Sequence, residues 1–99
     1  WFIAVGFHRP HDPFVVPARY FDLYPEGSLT LWRDPADQTP ALPLAIPKGA
    51  FRDAFARFTD AERLEFLRAY AAGVSFMDAQ VGRVLGDLAG RRMFGAETI

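Results

Sequence analysis

The 99-residue sequence contains no cysteine. That excludes a disulfide framework, a thiolate metal site and a cysteine nucleophile within these residues. Proline is missing from everything after Pro47, although eight prolines lie at or before that point. There is no basic block: 11 lysines and arginines stand against 12 acidic residues, a net charge of −1. This balance argues against nucleic acid or an anionic membrane as partner. No apolar run approaches the roughly 20 residues of a bilayer span. The sequence also lacks an internal repeat, a low-complexity segment, a Walker loop, a Gly-rich dinucleotide turn and a Ser–His–Asp triad. Histidine occurs only twice, at His8 and His11. What remains is globular in composition, 51% hydrophobic and 15% aromatic, unlike a disordered chain.

Both histidines fall in Trp1–Phe14, and the chain is organised around that stretch. Trp1-Phe2-Ile3-Ala4-Val5 is a continuous apolar run of the kind expected of a strand buried on both faces. Gly6 permits close backbone approach, and Pro10 and Pro13 prevent a helix. The pattern predicts a strand over residues 2–7. It places His8, Arg9, His11 and Asp12 at the carboxyl end of that strand, where open α/β sheets bind ligands.

Further along, Ala18–Tyr24 predicts a short helical turn with Pro17 at its first position. Pro25-Glu26-Gly27-Ser28 reads as a turn, and Leu29–Trp32 alternates like a short edge strand. Pro35, Pro40, Pro43 and Pro47 make Arg33–Lys48 an ordered surface loop, long enough to suggest that it lines a site or joins parts of a larger body.

The remainder reads as helix. Phe51, Phe55 and Phe58 recur at i, i+4 and i+7, and Thr59-Asp60-Ala61-Glu62 has the capping-box pattern. A long helix over about 60–89 follows. Leu67, Val74, Val81 and Leu88 repeat every seven residues beside Tyr70, Met77 and Val84, an apolar stripe along roughly 28 residues, about 42 Å. Gly73, Gly82 and Gly86 each weaken the helix by up to ~1 kcal/mol relative to Ala, so close packing is the better explanation for them. Gly90 marks a stop, followed by Arg91 and Arg92 at the negative end of the dipole.

The chain opens on Trp1, inside an apparent strand. It closes on Glu97-Thr98-Ile99, where another strand starts. A strand, a crossing helix and a second strand form a βαβ unit, which cannot cover both faces of a parallel sheet alone. The expectation is an α/β excerpt, cut at both ends, of a single larger domain.

His8 and His11 are spaced H-x2-H. A metal reading requires a third ligand from Asp12 or elsewhere. The alternative for His8 is that it props the loop by hydrogen bonding to backbone. His11 is the better chemical candidate, because Pro10 and Pro13 constrain it and an imidazole can donate a hydrogen bond to an anionic oxygen. Arg9 is suited to an anion, and equally to solvent or to pairing with Asp12 or Asp22. Asp12 has three readings: orienting His11, contacting a substrate, or capping the turn. Tyr70, Ser75, Asp78 and Gln80 sit on the long helix, with Asp78 expected on a solvated face.

Two segments carry a family resemblance. Phe2-Ile3-Ala4-Val5-Gly6-Phe7-His8-Arg9-Pro10-His11-Asp12-Pro13-Phe14 resembles the strand and loop of the type I sulfatases, especially the iduronate-2-sulfatase-like and choline-sulfatase-like branches. Tyr70–Leu85 resembles the helix that follows in that family. The resemblance implies an alkaline-phosphatase-like α/β fold, with residues 1–99 as part of one sulfatase catalytic domain. It implies hydrolysis of small-molecule or saccharide sulfate esters by a formylglycine nucleophile with a divalent cation, usually Ca2+. By position, His11 matches the histidine that contacts the sulfate or leaving-group oxygen, and Arg9 and Asp12 flank it as substrate-binding candidates. No Cys or Ser followed by x-Pro-x-Arg is present to supply the formylglycine. The paired aspartates that hold the metal and the Asp-His-Gly segment are also missing, so the 99 residues alone are expected to be inactive. The family also leaves room for an exported location, whether periplasmic, secreted or lysosomal. Two other readings stand beside this one: a phosphodiesterase or phosphonate monoester hydrolase on the same fold, and a non-enzymatic scaffold or interaction module.

Overall fold

The computed structural model describes residues 2–33 and 50–91. Three helices occur among them: α1, Ala18–Phe21; α2, Ala50–Phe55; and α3, Asp60–Gly90. α3 dominates at 31 residues, about 46 Å of helical rise. It starts where the sequence expects. The Thr59 hydroxyl accepts the Glu62 N–H, and the Glu62 carboxylate accepts the Thr59 N–H at 2.7 Å, closing the capping box. The Glu62 carboxyl is held below the ordinary glutamate range by the Thr59 backbone N–H, with the Thr59 hydroxyl adding to the effect. At the other end, α3 runs through Gly90 and is capped by Arg91, whose N–H reaches the Asp87 carbonyl at 3.1 Å. Arg92 and the incipient last strand lie outside the described residues.

The path from the loop to the first turn is short and locally determined. Pro17 is the N-cap of α1 rather than its first helical residue, the Tyr20 N–H bonds its carbonyl at 3.0 Å, and α1 ends at Phe21, short of the expected Tyr24. The Pro25–Ser28 turn forms as expected. The Ser28 N–H reaches the Pro25 carbonyl at 3.0 Å, and Gly27 takes φ +80°, which a type II turn requires at its third residue. The helical face drawn through Phe51, Phe55 and Phe58 is cut short, because α2 ends at Phe55. Phe58 still joins the cluster, with its ring 5.5 Å from Phe55.

Among the described residues no β-ladder forms, so the βαβ arrangement has no strand here. Residues 2–7, expected as a buried strand, are exposed: Phe2 is 90% accessible and Ile3 66%. Residues 29–32, expected as an edge strand, are likewise unpaired. The cause is physical. A strand satisfies its N–H and C=O groups only against a neighbouring strand, and the described elements are otherwise helices and turns.

The packing that does exist lies along one side of α3. Tyr20 of α1 meets Phe76 edge-on at 5.3 Å. The Tyr24 and Ser75 hydroxyls are 2.7 Å apart, and Arg68 Nε donates to the Tyr24 carbonyl at 2.7 Å. Phe14 stands edge-on to Phe66 at 5.0 Å and to Tyr70 at 6.1 Å. Phe55 closes on Phe66 at 5.4 Å. Such aromatic pairs contribute about 0.5–1.5 kcal/mol beyond their area burial. Ala72 and Gly73 are the two buried residues of α3, and they sit beneath this covering. The stripe residues Leu67, Val74, Met77, Val81, Val84 and Leu88 are half-buried, while Tyr70 is exposed. Gly73 meets the close packing expected of it. Gly82 and Gly86 face nothing within 4 Å among the described residues. Asp78 is exposed, as expected of a solvated face.

Candidate functional site

The loop from His8 to Val15 is drawn tight by its own backbone. The His11 N–H donates to the His8 carbonyl at 3.1 Å, and the Val15 N–H to the Pro13 carbonyl at 2.8 Å. The Arg9–Pro10 and Asp12–Pro13 peptide bonds are both cis. Arg9 folds back across the loop: Nε donates to the Val15 carbonyl at 3.2 Å and Nη1 to the His11 carbonyl at 3.0 Å. The guanidinium thus ties three points of the loop together. Its Nη2 has no partner among the described residues.

His11 is fixed from one side. Its Nδ1 lies 2.7 Å from the Asp12 carbonyl and 3.0 Å from Asp12 Oδ1. Both partners are oxygens that only accept, so Nδ1 carries the proton. The free ring nitrogen is therefore Nε2. In the neutral ring it is an acceptor; in the imidazolium it is a second donor. The His11 side chain is 68% accessible, so this nitrogen can meet a ligand. The His8 ring lies beside it, 5.1 Å away between centroids and tilted by 31°.

The structure brings all four loop candidates together. His11 leaves Nε2 accessible. Asp12 orients it through Nδ1. Arg9 is partly engaged by the loop's own carbonyls. His8 supplies the carbonyl that accepts the His11 N–H and a ring beside that of His11, and among the described residues its imidazole does not make the hydrogen bond to backbone expected of a prop. Tyr70 is near the loop through Phe14, whereas Ser75 instead anchors Tyr24.

Tyr24, Arg68 and Ser75, which join the segment after α1 to α3, carry no sequence signal of their role. The Tyr24–Ser75 bond joins positions 51 apart, and the Arg68–Tyr24 bond joins positions 44 apart. No local pattern encodes either. Gly73, opposite Pro10, was legible only as a small residue wanting a close neighbour.

Among the described residues, no three His, Cys, Asp or Glu side chains gather as a metal site. The H-x2-H pair does not collect a third ligand there. No described helix is long and apolar enough to cross a membrane.

The model of the Sulfatase family matches residues 1–93. The chain is 34% identical over 107 aligned residues to iduronate 2-sulfatase of Mus musculus, covering 89% of this chain and 18% of that protein. It is 36% identical over 92 residues to a sulfatase of Formosa agariphila, with the same coverage of 89% and 18%. It is 31% identical over 102 residues to choline-sulfatase of Rhizobium meliloti, covering 94% of this chain and 19% of that one. The chain thus spans about a fifth of the length of the curated relatives it matches. No solved structure matches it.

Proposed function

Since the chain belongs to the sulfatase family, we propose that it is part of the catalytic domain of a sulfate-ester hydrolase and contributes His11 to the reaction. Membership implies an alkaline-phosphatase-like fold. Within it, residues 2–7 supply one strand of the central sheet and α3 the helix that covers it, with the strand's partners coming from the rest of the domain. The substrate class is a small-molecule or saccharide sulfate ester.

One observation carries the role of His11: Nδ1 is tied to Asp12, leaving Nε2 as the only ring nitrogen able to reach a ligand. As the S–O bond of the ester breaks and the sulfuryl group passes to a nucleophile supplied from outside these residues, negative charge grows on the bridging oxygen of the leaving group. The imidazolium meets that charge with its Nε2–H and passes the proton to the departing alkoxide, and solvent restores it. The loop already holds the ring, so the donor does not reorganise as charge develops, the condition under which such hydrogen bonds help most. Asp12 keeps the ring turned. As an anion it is poorly suited to a sulfate, so orientation is its better assignment. Arg9 presents Nη2 to the sulfuryl oxygens while Nε and Nη1 hold the loop.

The family implies Ca2+ and a formylglycine nucleophile. These residues do not fit the formylglycine, because the chain has no cysteine and neither Ser28 nor Ser75 is followed by x-Pro-x-Arg. Both groups belong to the remainder of the domain.

The test is turnover of an unactivated alkyl sulfate, whose alkoxide needs the proton to leave, by the full-length enzyme and its His11→Ala variant. We expect kcat to fall by on the order of 10²–10³-fold, with the fold intact. Wild-type turnover by a folded His11→Ala enzyme would remove His11 from the mechanism. Turnover of a p-nitrophenyl phosphonate in preference to the sulfate would replace the reaction class.

A further inference from the structure

We propose that Gly73 of α3 is a positioning residue for His11: the missing side chain lets Pro10 seat directly on the helix, and anything larger than a methyl group lifts the residues on either side of Pro10, which are Arg9 and the His11 imidazole. The inference rests on the reading of His11 given above and extends it to a residue that never touches substrate.

The geometry is specific to this position. A Cβ added at Gly73 would lie 3.6 Å from both Cα and Cβ of Pro10 and 4.0 Å from Cδ1 of Phe14. Those are ordinary van der Waals distances, so alanine fits. A γ-carbon, about 1.5 Å further out, enters the space already occupied by the proline ring or the Phe14 ring. Neither can step aside freely. Phe14 is held edge-on between Phe66 and Tyr70. Positions 66, 70 and 73 share one face of the helix, so the loop rests on a single seat of two rings and a gap. Pro10 sits inside the Arg9 clamp, whose bonds to the His11 and Val15 carbonyls make the loop move as a unit. A push on Pro10 therefore reaches Nε2 of His11. Gly82 and Gly86 of the same helix meet nothing within 4 Å among the described residues, so neither forms such a seat there.

The test is the series Gly73→Ala, Gly73→Val and Gly73→Leu in the full-length enzyme. Leucine is among the best helix formers, so its effect is not one of helix propensity. Three readouts are needed: thermal unfolding, kcat and KM for an unactivated alkyl sulfate, and the rate of carbethoxylation of His11 by diethyl pyrocarbonate mapped by mass spectrometry. The alanine variant should keep kcat within about 2-fold of wild type. The valine and leucine variants should lose about 10–100-fold in kcat, the scale on which a misplacement near 1 Å acts, with KM changed far less. Their His11 modification rate should also depart from wild type several-fold. If the leucine variant does not fold, the smaller valine decides.

Folded valine and leucine variants with wild-type kcat and wild-type His11 reactivity would overturn the proposal and leave the sulfatase reading standing. A wild-type enzyme without sulfate-ester turnover would overturn that reading instead. The His11 reactivity series would then still decide whether Gly73 positions the loop.

Discussion

Replacing Arg68 by methionine keeps an unbranched, helix-compatible stem and removes the guanidinium that holds the segment returning from the His11 loop. Three interactions go with it. Nε donates to the Tyr24 carbonyl at 2.7 Å, and a hydrogen bond to a charged group contributes about 1.5–3 kcal/mol. The guanidinium carbon lies 5.7 Å from the centre of the Phe21 ring, worth about 0.5–1 kcal/mol at an accessible site. The pair with Glu65 at 3.4 Å is an exposed i,i+3 contact of about 0.3–0.5 kcal/mol. The Arg68 side chain is 30% accessible, so water replaces part of the lost bond to the Tyr24 carbonyl. The net loss is then about 2 kcal/mol, roughly a 30-fold increase in opening of the segment. Hydrogen exchange of the Asp22 and Tyr24 amides reads that opening, since each is bonded only within the segment, to Ala18 and Phe21 respectively. We expect both to exchange about 30-fold faster in the full-length Arg68→Met protein, with α3 amides beyond Ser75 unchanged. Arg68→Lys should fall between, because an ammonium retains charge without the planar donor edge. Exchange within about 3-fold of wild type would show that Arg68 does not hold the segment and that aromatic packing alone does.

Thr59→Ala removes the cap of α3 and should lower stability by about 1 kcal/mol in equilibrium unfolding; no change would mean that the helix start is secured by tertiary contacts instead. Because Thr59 holds the Glu62 carboxyl below its ordinary range, the contribution of that carboxylate is fully present above the unfolded glutamate value of about 4.3 and is lost as pH falls through the lower folded value. The acid loss should shrink in Thr59→Ala without vanishing, since the backbone N–H remains as a donor. Residues 1–99 expressed alone should self-associate, given Phe2 at 90% and Trp32 at 96% accessibility; sedimentation as a monomer with one cooperative unfolding transition would refute this.

Legibility in the sequence followed the range of the interactions. The capping box, the Pro25–Ser28 turn and the span of α3 rest on contacts within four residues, and each was readable from residue type and spacing. Residues 2–7 were read as a strand from their apolar run, but strand pairing requires partners that the run does not name. Leu29–Trp32 failed for the same reason. The candidate site was half legible. The two histidines and their prolines marked the loop, yet the division of labour between Arg9, His11 and Asp12 depends on how the loop closes on itself. Arg68, Tyr24 and Gly73 act across the chain, where sequence spacing carries no instruction.

The two ties made by arginine differ in what they allow evolution to change. Arg33 and Asp60 meet across 27 positions, and the entropy of closing such a length grows only logarithmically, by roughly 0.6 kcal/mol for each doubling. Outside α2 and the packed Phe55 and Phe58, residues can be added or removed between those two ends at little thermodynamic expense. Arg9 and Val15 meet across six positions, through a side chain of fixed reach. One inserted residue there breaks the bond and moves His11 with it. Length variation among homologues is therefore expected between Arg33 and Asp60 outside α2, while the stretch from His8 to Val15 keeps its residue count.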